Sequence, residues 1–377
     1  MSGTHLALAG SSFAIALLLG LGGMPLAHSI GHRFGMVSHP RLFGHGGAAV
    51  SHLGGAVLAA SVLVVMMPFF FFADGLLREA GGLLTGAFVL LIVGLIDDKL
   101  KDGGLSPYTR LTVETVVAAT VWWTGVRAAP TGNEWIDACL TVFFLVAATN
   151  AFNLLDNMDG VAGSCAATIA AGLFALAALG GQYLVATLAA ATVGASLAFL
   201  RHNLVNARVY LGNAGSMFLG FLIAAITLKL RLPLSEPWSY LAAIAVLVVP
   251  VADTSLVILS RWIARRPFLS GGIDHLSHRL VLLGFSTRAS ALAHSLVSAV
   301  GSAAVAVAAV SQRNEPVVIV SVLFAVIILS LLRVSVYEIN PAEAAAGDHL
   351  KPEDSLELGS PRLDTLGMDT DIVDEKA

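Results

Sequence analysis

The chain has 377 residues, of which 56% are hydrophobic and only 12% are charged. This composition excludes an ordinary soluble domain and indicates a protein that needs lipid as its solvent. The formal net charge of −4 conceals an uneven distribution, because eleven of the 25 acidic residues follow Tyr337. The rest of the chain is mildly basic, and nothing in it suggests nucleic-acid binding.

Eleven apolar runs are long enough to cross a bilayer, which needs about 20 mostly apolar residues per helix. They lie at residues 6–27, 47–72, 81–96, 107–126, 135–152, 162–180, 182–200, 209–228, 238–258, 290–310 and 316–337. Lipid offers no partner to unpaired backbone groups, so the predicted fold is all-α with about 10–11 transmembrane helices. The first run lacks a positive flank and a cleavage site, which favours a retained span.

The chain divides into a membrane domain at 1–337 and an acidic tail at 338–377 that we expect to be disordered and cytoplasmic. Sixteen of the 21 Lys and Arg residues fall in that tail, in the odd-numbered connections between runs, or, for Arg110 and Arg333, at the adjoining ends of runs. The positive-inside rule makes that side cytoplasmic. The long polar connections fall there too.

Two adjacent carboxylates, Asp97 and Asp98, end the third apolar run. Acids at a membrane boundary are costly unless they bind something cationic. We interpret the pair as catalytic, with an ordinary solvated helix end as the alternative.

A second polar cluster ends the fifth run, where five amides or carboxylates fall within ten residues. They are Asn150, Asn153, Asp156, Asn157 and Asp159. The spacing of Asn153, Asp156 and Asp159 would place them on one helical face if the helix continues. Gly160 favours a helix end nearby.

A third cluster combines amides, a guanidinium and two glycines around a small polar turn. Its members are Asn203, Asn206, Arg208, Gly212, Asn213, Gly215 and Ser216. Such a turn lets backbone N–H groups approach a phosphate.

A fourth cluster follows the ninth run and brings cations into one long connection. It contains Asp253, Arg261, Arg265, Arg266, Asp274, His275, His278 and Arg279. Imidazole and guanidinium groups suit an anionic, diphosphate-type ligand. For Arg265 and Arg266 a purely topogenic role is the alternative. Together the four clusters indicate phosphoryl transfer at a membrane surface.

These clusters, in this order, resemble the polyprenyl-phosphate N-acetylhexosamine-1-phosphate transferases of the WecA and TagO type, in glycosyltransferase family 4, and more distantly MraY. The resemblance covers residues 20–290. It rests on the Asp-Asp pair, Asn-Leu-Leu-Asp-x-x-Asp-Gly, Ala-Arg-Val-x-x-Gly-x-x-Gly-Ser, Pro-x-x-Asp-Thr and His-x-x-His-Arg-Leu.

The resemblance implies transfer of a sugar-1-phosphate, by preference N-acetylglucosamine-1-phosphate, from a UDP-sugar to undecaprenyl or decaprenyl phosphate, with release of UMP. It implies Mg²⁺, with Mn²⁺ as an alternative, and a multi-pass protein of the bacterial inner membrane with a cytoplasmic active site. A homodimer is left open. The catalytic residues carried over are Asp97, Asp98, Asp156 and Asp159, and the metal-side amides are Asn153 and Asn213. The substrate-binding residues carried over are Asn150, Asn203, Arg208, Gly212, Ser216, Arg265, Arg266, His275, His278 and Arg279.

Several positions depart from the family pattern. Asn213 stands where the family has a metal-binding Asp, and Glu114 where a Gln is common. In the first cytoplasmic connection Ser38, Phe43, Gly44 and Gly46 occupy positions that are often Asp, Arg, Lys and His. That connection and the residues after it carry His39, His45 and His52 instead.

These departures motivate a second hypothesis, a catalytically weak relative that acts as a binding or scaffolding membrane protein. A third hypothesis is a secondary transporter, which would place ionisable residues near the middle of the bilayer. Here they gather at one end of the spans, which favours the transferase.

Overall fold

The computed structural model describes residues 3–38, 49–72, 77–100, 104–235, 238–268 and 272–332. The predicted tail at 338–377 and positions 39–48 of the first connection lie outside these residues. Thirteen helices and a two-stranded hairpin make up the described part. They are α1 (Gly3–Phe34), β1 (Val37–Ser38), β2 (Val50–Ser51), α2 (Gly54–Phe72), α3 (Leu77–Lys99), α4 (Pro107–Thr124), α5 (Glu134–Leu155), α6 (Val161–Leu179), α7 (Tyr183–Asn203), α8 (Gly212–Lys229), α9 (Trp238–Ala245), α10 (Val248–Ile263), α11 (Leu276–Leu282), α12 (Thr287–Ser311) and α13 (Glu315–Leu331).

Within the described residues, each of the eleven apolar runs contains a helix, which confirms the all-α, multi-spanning fold. Within the described ranges, seven helices are long and apolar enough to cross a membrane, or eight if the bent pair α9 and α10 counts as one span. Helices α2 and α13 are shorter apolar helices, and α4 carries Arg110 and Glu114 within its 18 residues.

The ninth run differs from a straight span, because α9 and α10 meet at an angle of 79°. Pro250 lies in the first turn of α10, where its missing N–H needs no partner in the helix. The chain can therefore start a new helix there in a new direction.

Helix α8 lies at the centre of the bundle. Residues 214–228 of this helix are all buried, and α2, α3 and α5 pack against it. Glycines allow its first turn to approach its neighbours closely. A Cβ on Gly55 of α2 would lie 2.4 Å from Gly215 Cα, and a Cβ on Gly94 of α3 would lie 2.4 Å from Ala214 Cα.

The four polar clusters lie in and around the loops that follow α3, α5, α7 and α10, and the loop after α1 lies at the same end of the bundle. We call the end of the bundle where these loops lie the site face. The opposite end is held by simpler contacts, such as the ion pair of 2.5 Å between Lys229 Nζ of α8 and Glu79 Oε2 of α3. Gln182 exchanges two hydrogen bonds with the backbone of Arg231 at the same end.

The hairpin extends the site face beyond α1. Val37 pairs with Ser51, and Ser38 pairs with Val50. Ser51 also bridges to Val209, and the N–H of Tyr210 donates to Ser51 O at 2.7 Å. The hairpin therefore holds the loop between α7 and α8 in place beside the first turn of α8.

We predict that Gly94→Ala destabilises the protein, because the added methyl group would push α3 away from α8. Overpacking of this kind costs about 1–3 kcal/mol. The measurement is thermal unfolding of the purified protein in detergent, with Gly22→Ala as the control, since a Cβ at Gly22 meets nothing within 4 Å. Equal melting temperatures for the two variants would show that the close approach carries no strain.

Candidate active site

The site is built around the first turn of α8. Gly212 begins the helix with a positive φ of 65°, a conformation that favours glycine. Asn213 N–H donates to Asp98 Oδ1 at 2.8 Å, and Ala214 N–H donates to Asp98 Oδ2 at 3.0 Å. Asp98 on α3 therefore caps a helix to which it is not adjacent in sequence, and its negative charge lies at the positive end of the helix dipole.

Asp156 approaches the same turn from α5. It is the residue at which α5 ends, and it accepts a hydrogen bond from Gly212 N–H. The side chain is half-buried, and its removal from water, together with repulsion from Asp98 and Asp159, raises the pKa of Asp156 to about 7. Three of the predicted catalytic carboxylates are thus close enough to repel one another.

The two predicted metal-side amides contact each other directly. Asn153 Nδ2 donates to Asn213 Oδ1 at 2.8 Å and to Ser216 Oγ at 2.9 Å. Asn153 lies one turn before Asp156 on α5, so the amide pair and the carboxylates share one face of the first turn of α8.

Asp97 and Asp98 have different environments despite being neighbours. Asp97 is buried, accepts a hydrogen bond from Leu105 N–H, and forms an ion pair with Arg110 whose Nη1 to Oδ2 distance is 3.3 Å. These contacts fasten the α3–α4 loop to the start of α4. Asp98 alone of the pair contacts α8.

A cavity of about 380 Å³ opens beside the acid pair. It is lined by Gly35, Met36, Val37, Ser38, His52, Asp97, Asp98, Lys99, Leu100, Gly104, Arg110 and Asn213. The cavity therefore connects the hairpin with the first turn of α8, and it includes three of the predicted site residues.

The fourth cluster is organised by Asp253, a motif residue that the sequence analysis left without a role. Asp253 is fully buried, lies 2.9 Å from His275 Nδ1 through Oδ2, and accepts a 2.6 Å hydrogen bond from Leu276 N–H through Oδ1. This contact fixes the orientation of the His275 ring, and it occupies Nδ1, one of the two ring nitrogens. His278 lies beside it, and burial, with His275 nearby, lowers the pKa of His278 to about 4. His278 is therefore a neutral group at physiological pH.

Ser277 joins this segment to the carboxylate cluster, because its hydroxyl donates to Asn157 Oδ1 in the loop after α5. The structure thus brings the histidine segment and the Asp156 loop into direct contact.

The arginines of the fourth cluster have different positions. Asp274 accepts ion pairs from Arg261 Nε at 3.1 Å and Arg266 Nη1 at 2.9 Å, and Arg266 keeps 40% of its side chain exposed. Arg279 is buried and bonds to Ser260 Oγ, Asp274 O and Leu331 O, so it joins α11 to its neighbours. Arg265 is exposed.

Three other predicted binding residues lie around the site rather than within it. Asn203 is buried, and its amide joins Gly160 N–H to Val209 O, which holds two loops together. Asn150 donates to Glu114 of α4. Arg208 has an exposed side chain, and its carbonyl accepts from Ser51 N–H and contacts His28 Nδ1.

The oxygen atoms gathered here suit a hard divalent cation, since Mg²⁺ prefers carboxylate and amide oxygens as ligands. A cation would also relieve the repulsion between Asp156 and its neighbours. Across the described ranges, however, no three His, Cys, Asp or Glu side chains converge closely enough to hold a metal. Further ligands from a bound phosphate would therefore have to complete the site.

Comparison with known proteins agrees with this arrangement. A family model described as glycosyl transferase family 4 matches residues 80–231. A protein of Bacillus subtilis named a probable undecaprenyl-phosphate N-acetylglucosaminyl 1-phosphate transferase is 28% identical over 74% of this chain and 79% of its own. A phospho-N-acetylmuramoyl-pentapeptide-transferase of Streptococcus equi subsp. zooepidemicus is 30% identical over 56% of this chain and 67% of its own.

A decaprenyl-phosphate N-acetylglucosaminephosphotransferase of Mycolicibacterium smegmatis is 30% identical over 69% of this chain and 72% of its own. This coverage includes more than two thirds of both proteins and confirms the resemblance found in the motifs. The chain belongs to glycosyl transferase family 4, the polyprenyl-phosphate hexosamine-1-phosphate transferases.

Proposed function

We propose that the protein transfers N-acetylglucosamine-1-phosphate from UDP-N-acetylglucosamine to a polyprenyl phosphate and releases UMP. One observation carries the proposal: the Asp98 and Asp156 carboxylates and the Asn153–Asn213 amide pair meet at the first turn of α8. The names of the Bacillus and Mycolicibacterium relatives support the sugar and the class of lipid.

In this reaction an oxygen of the lipid phosphate attacks the β-phosphorus of the UDP-sugar. A new P–O bond forms, the bond to the bridging oxygen breaks, and UMP leaves with that oxygen. Bound Mg²⁺ would offset the negative charge of the diphosphate. Asp156, Asn153 and Asn213 would hold it together with phosphate oxygens of the donor.

The residues of the chain then have separate tasks. Asp98 holds the first turn of α8 against α3, so that the Asn213 side chain faces Asn153. His275, held by Asp253, presents its second ring nitrogen for the donor. Asp97 and Arg110 tie the α3–α4 loop at the edge of the cavity. Positioning and charge stabilisation are the main means by which proteins catalyse phosphoryl transfer.

We place this site on the cytoplasmic side of a bacterial inner membrane. The support is the distribution of Lys and Arg, because sixteen of the 21 belong to the connections on the side of the site, to the tail, or to the adjoining ends of the apolar runs. A UDP-sugar made in the cytosol would meet a lipid phosphate at that surface. The gathering of ionisable groups at one end of the bundle also disfavours a transporter.

We predict UMP release when the purified protein is given UDP-N-acetylglucosamine, undecaprenyl phosphate and Mg²⁺, and at least a ~100-fold slower rate for Asp156→Asn. A panel of UDP-sugars, with UDP-glucose as the sugar that lacks the acetamido group, identifies the donor. Absence of UMP with every UDP-sugar would favour the scaffolding alternative, and equal rates for Asp156→Asn would remove Asp156 from the mechanism.

A second prediction concerns Asn213. Replacing it by Asp keeps an acceptor for Asn153 Nδ2 and adds a charge, so the Mg²⁺ concentration for half-maximal UMP release should fall in Asn213→Asp. The control is Asn157→Asp, which changes an amide that contacts Ser277 rather than Asn153. If the Mg²⁺ curves of Asn213→Asp and wild type coincide, Asn213 does not bind the metal.

A third prediction concerns pH. Asp156 has a pKa raised to about 7, so it is protonated below that pH, and a step that needs its carboxylate should slow as pH falls through about 7. Mg²⁺ competes with the proton, so higher Mg²⁺ should move the half-maximal rate to lower pH. The measurement is UMP release from pH 5 to 9 at several Mg²⁺ concentrations. An acidic limb that stays in place at all concentrations would contradict this assignment.

A further inference from the structure

The cavity beside the acid pair has two unlike walls. One is formed by α3, with Asp97, Asp98 and Lys99, and by Arg110 of α4, and the other by the hairpin, with Ser38 and His52. The hairpin wall carries none of the residues assigned above to the reaction.

The two carboxylates that line this cavity already accept hydrogen bonds from the protein. Asp97 accepts from Leu105 N–H and pairs with Arg110, while Asp98 accepts from two backbone N–H groups of α8. Lys99 is exposed at the rim, and the Arg110 side chain is 27% exposed. The groups that remain for a ligand are therefore mainly hydrogen-bond donors and cations, which suit an anion.

Three contacts fix His52 at the hairpin wall. Its backbone N–H donates to Met36 O at 3.0 Å, its Nε2 lies 2.6 Å from Ser38 Oγ, and its ring packs edge-on against Tyr210 with centroids 5.8 Å apart. The contact with Ser38 commits Nε2 and leaves Nδ1 as the ring nitrogen for another partner. Burial lowers the pKa of His52, which favours the neutral ring. When Ser38 donates to Nε2, Nδ1 carries the hydrogen.

We propose that His52 is a binding residue for a phosphate monoester in this cavity, where it donates from Nδ1 to a phosphate oxygen beside Lys99 and Arg110. The proposal rests on the proposed function, in which the phosphate monoester is that of the lipid acceptor. It assigns to the hairpin a task in substrate recognition.

Two substrates bring phosphate to this face, the lipid phosphate and the diphosphate of the UDP-sugar. The position of His52 favours the lipid, because His52 lines the same cavity as Asp97 and Arg110, whereas the histidine segment contacts the Asp156 loop and is not among the residues that line this cavity. The KM values of a His52 variant for the lipid phosphate and for the UDP-sugar show which of the two substrates His52 binds.

The kinetic test compares His52→Ala, His52→Asn and His52→Gln. Loss of one hydrogen bond to a charged group should raise the KM for undecaprenyl phosphate by roughly tenfold or more in His52→Ala, with the KM for UDP-sugar unchanged. The amide N–H of Asn lies near the place of Nδ1, whereas that of Gln lies nearer Nε2. Asn should therefore restore acceptor binding better than Gln. His32→Ala, an exposed histidine of α1 that does not line the cavity, is the control.

A rise in the UDP-sugar KM alone, or equal values for His52→Ala and wild type, would overturn the proposal. Direct binding of farnesyl phosphate and farnesol to the detergent-purified protein tests it without turnover, and so separates its failure from that of the proposed function. Tighter binding of the phosphate than of the alcohol, weakened at least ~10-fold in His52→Ala, supports it. Ser38→Ala, which keeps the ring but releases Nε2, should weaken farnesyl phosphate binding to a smaller extent. Unchanged binding in both variants would refute it.

Discussion

The contact between the Asp98 carboxylate and the free N–H groups of Asn213 and Ala214, in the first turn of α8, determines the rest of the site. A helix that begins inside a bundle leaves N–H groups that need partners. Asp98 supplies both acceptors from α3. The approach is close enough only because Gly94 of α3 and Gly55 of α2 have no side chains where the backbone of α8 passes.

Other polar groups lie close to this contact. Asp156 accepts from Gly212 N–H, and Asn153 reaches both Asn213 and Ser216. The helix dipole and the N–H groups stabilise negative charge here, but burial, together with repulsion from Asp98 and Asp159, raises the pKa of Asp156. A site that gathers acids around N–H donors can favour a cation and the phosphate bound to it at the same time.

The sequence predicted much of this arrangement because the chain alternates between two ends of the bundle. Every cluster after an odd-numbered run had to reach the same face, and the structure confirms contacts between the second, third and fourth clusters through Gly212 and Ser277. Helix-scale apolar runs likewise identified all of the long helices. The bend between α9 and α10 was not foreseen, since hydropathy averages across a two-residue break.

The separate tasks of similar residues could not be predicted, because each depends on contacts far away in sequence. The adjacent residues Asp97 and Asp98 look alike in the sequence, which does not indicate that the first pairs with Arg110 and the second caps α8. The buried positions of Asn203 and Arg279, which bond mainly to backbone carbonyls and N–H groups, also follow from loop packing. Asp253 was visible in its motif, but its role appears only when α10 places it against His275.

The repulsion between carboxylates also explains how Asn213, a departure from the family pattern, fits into the site. An aspartate at this position would accept the same hydrogen bond from Asn153, but it would add a fourth charge beside Asp98, Asp156 and Asp159. In the absence of a cation that charge would add to the repulsion that, after burial, already contributes to the raised pKa of Asp156. Asparagine keeps the geometry and avoids the repulsion, at the cost of one anionic ligand for the metal. In the proposed reaction the phosphates of the donor would supply the missing charge, so metal and nucleotide would bind together, and the close packing of α8 against α3 would hold the first turn in position for both.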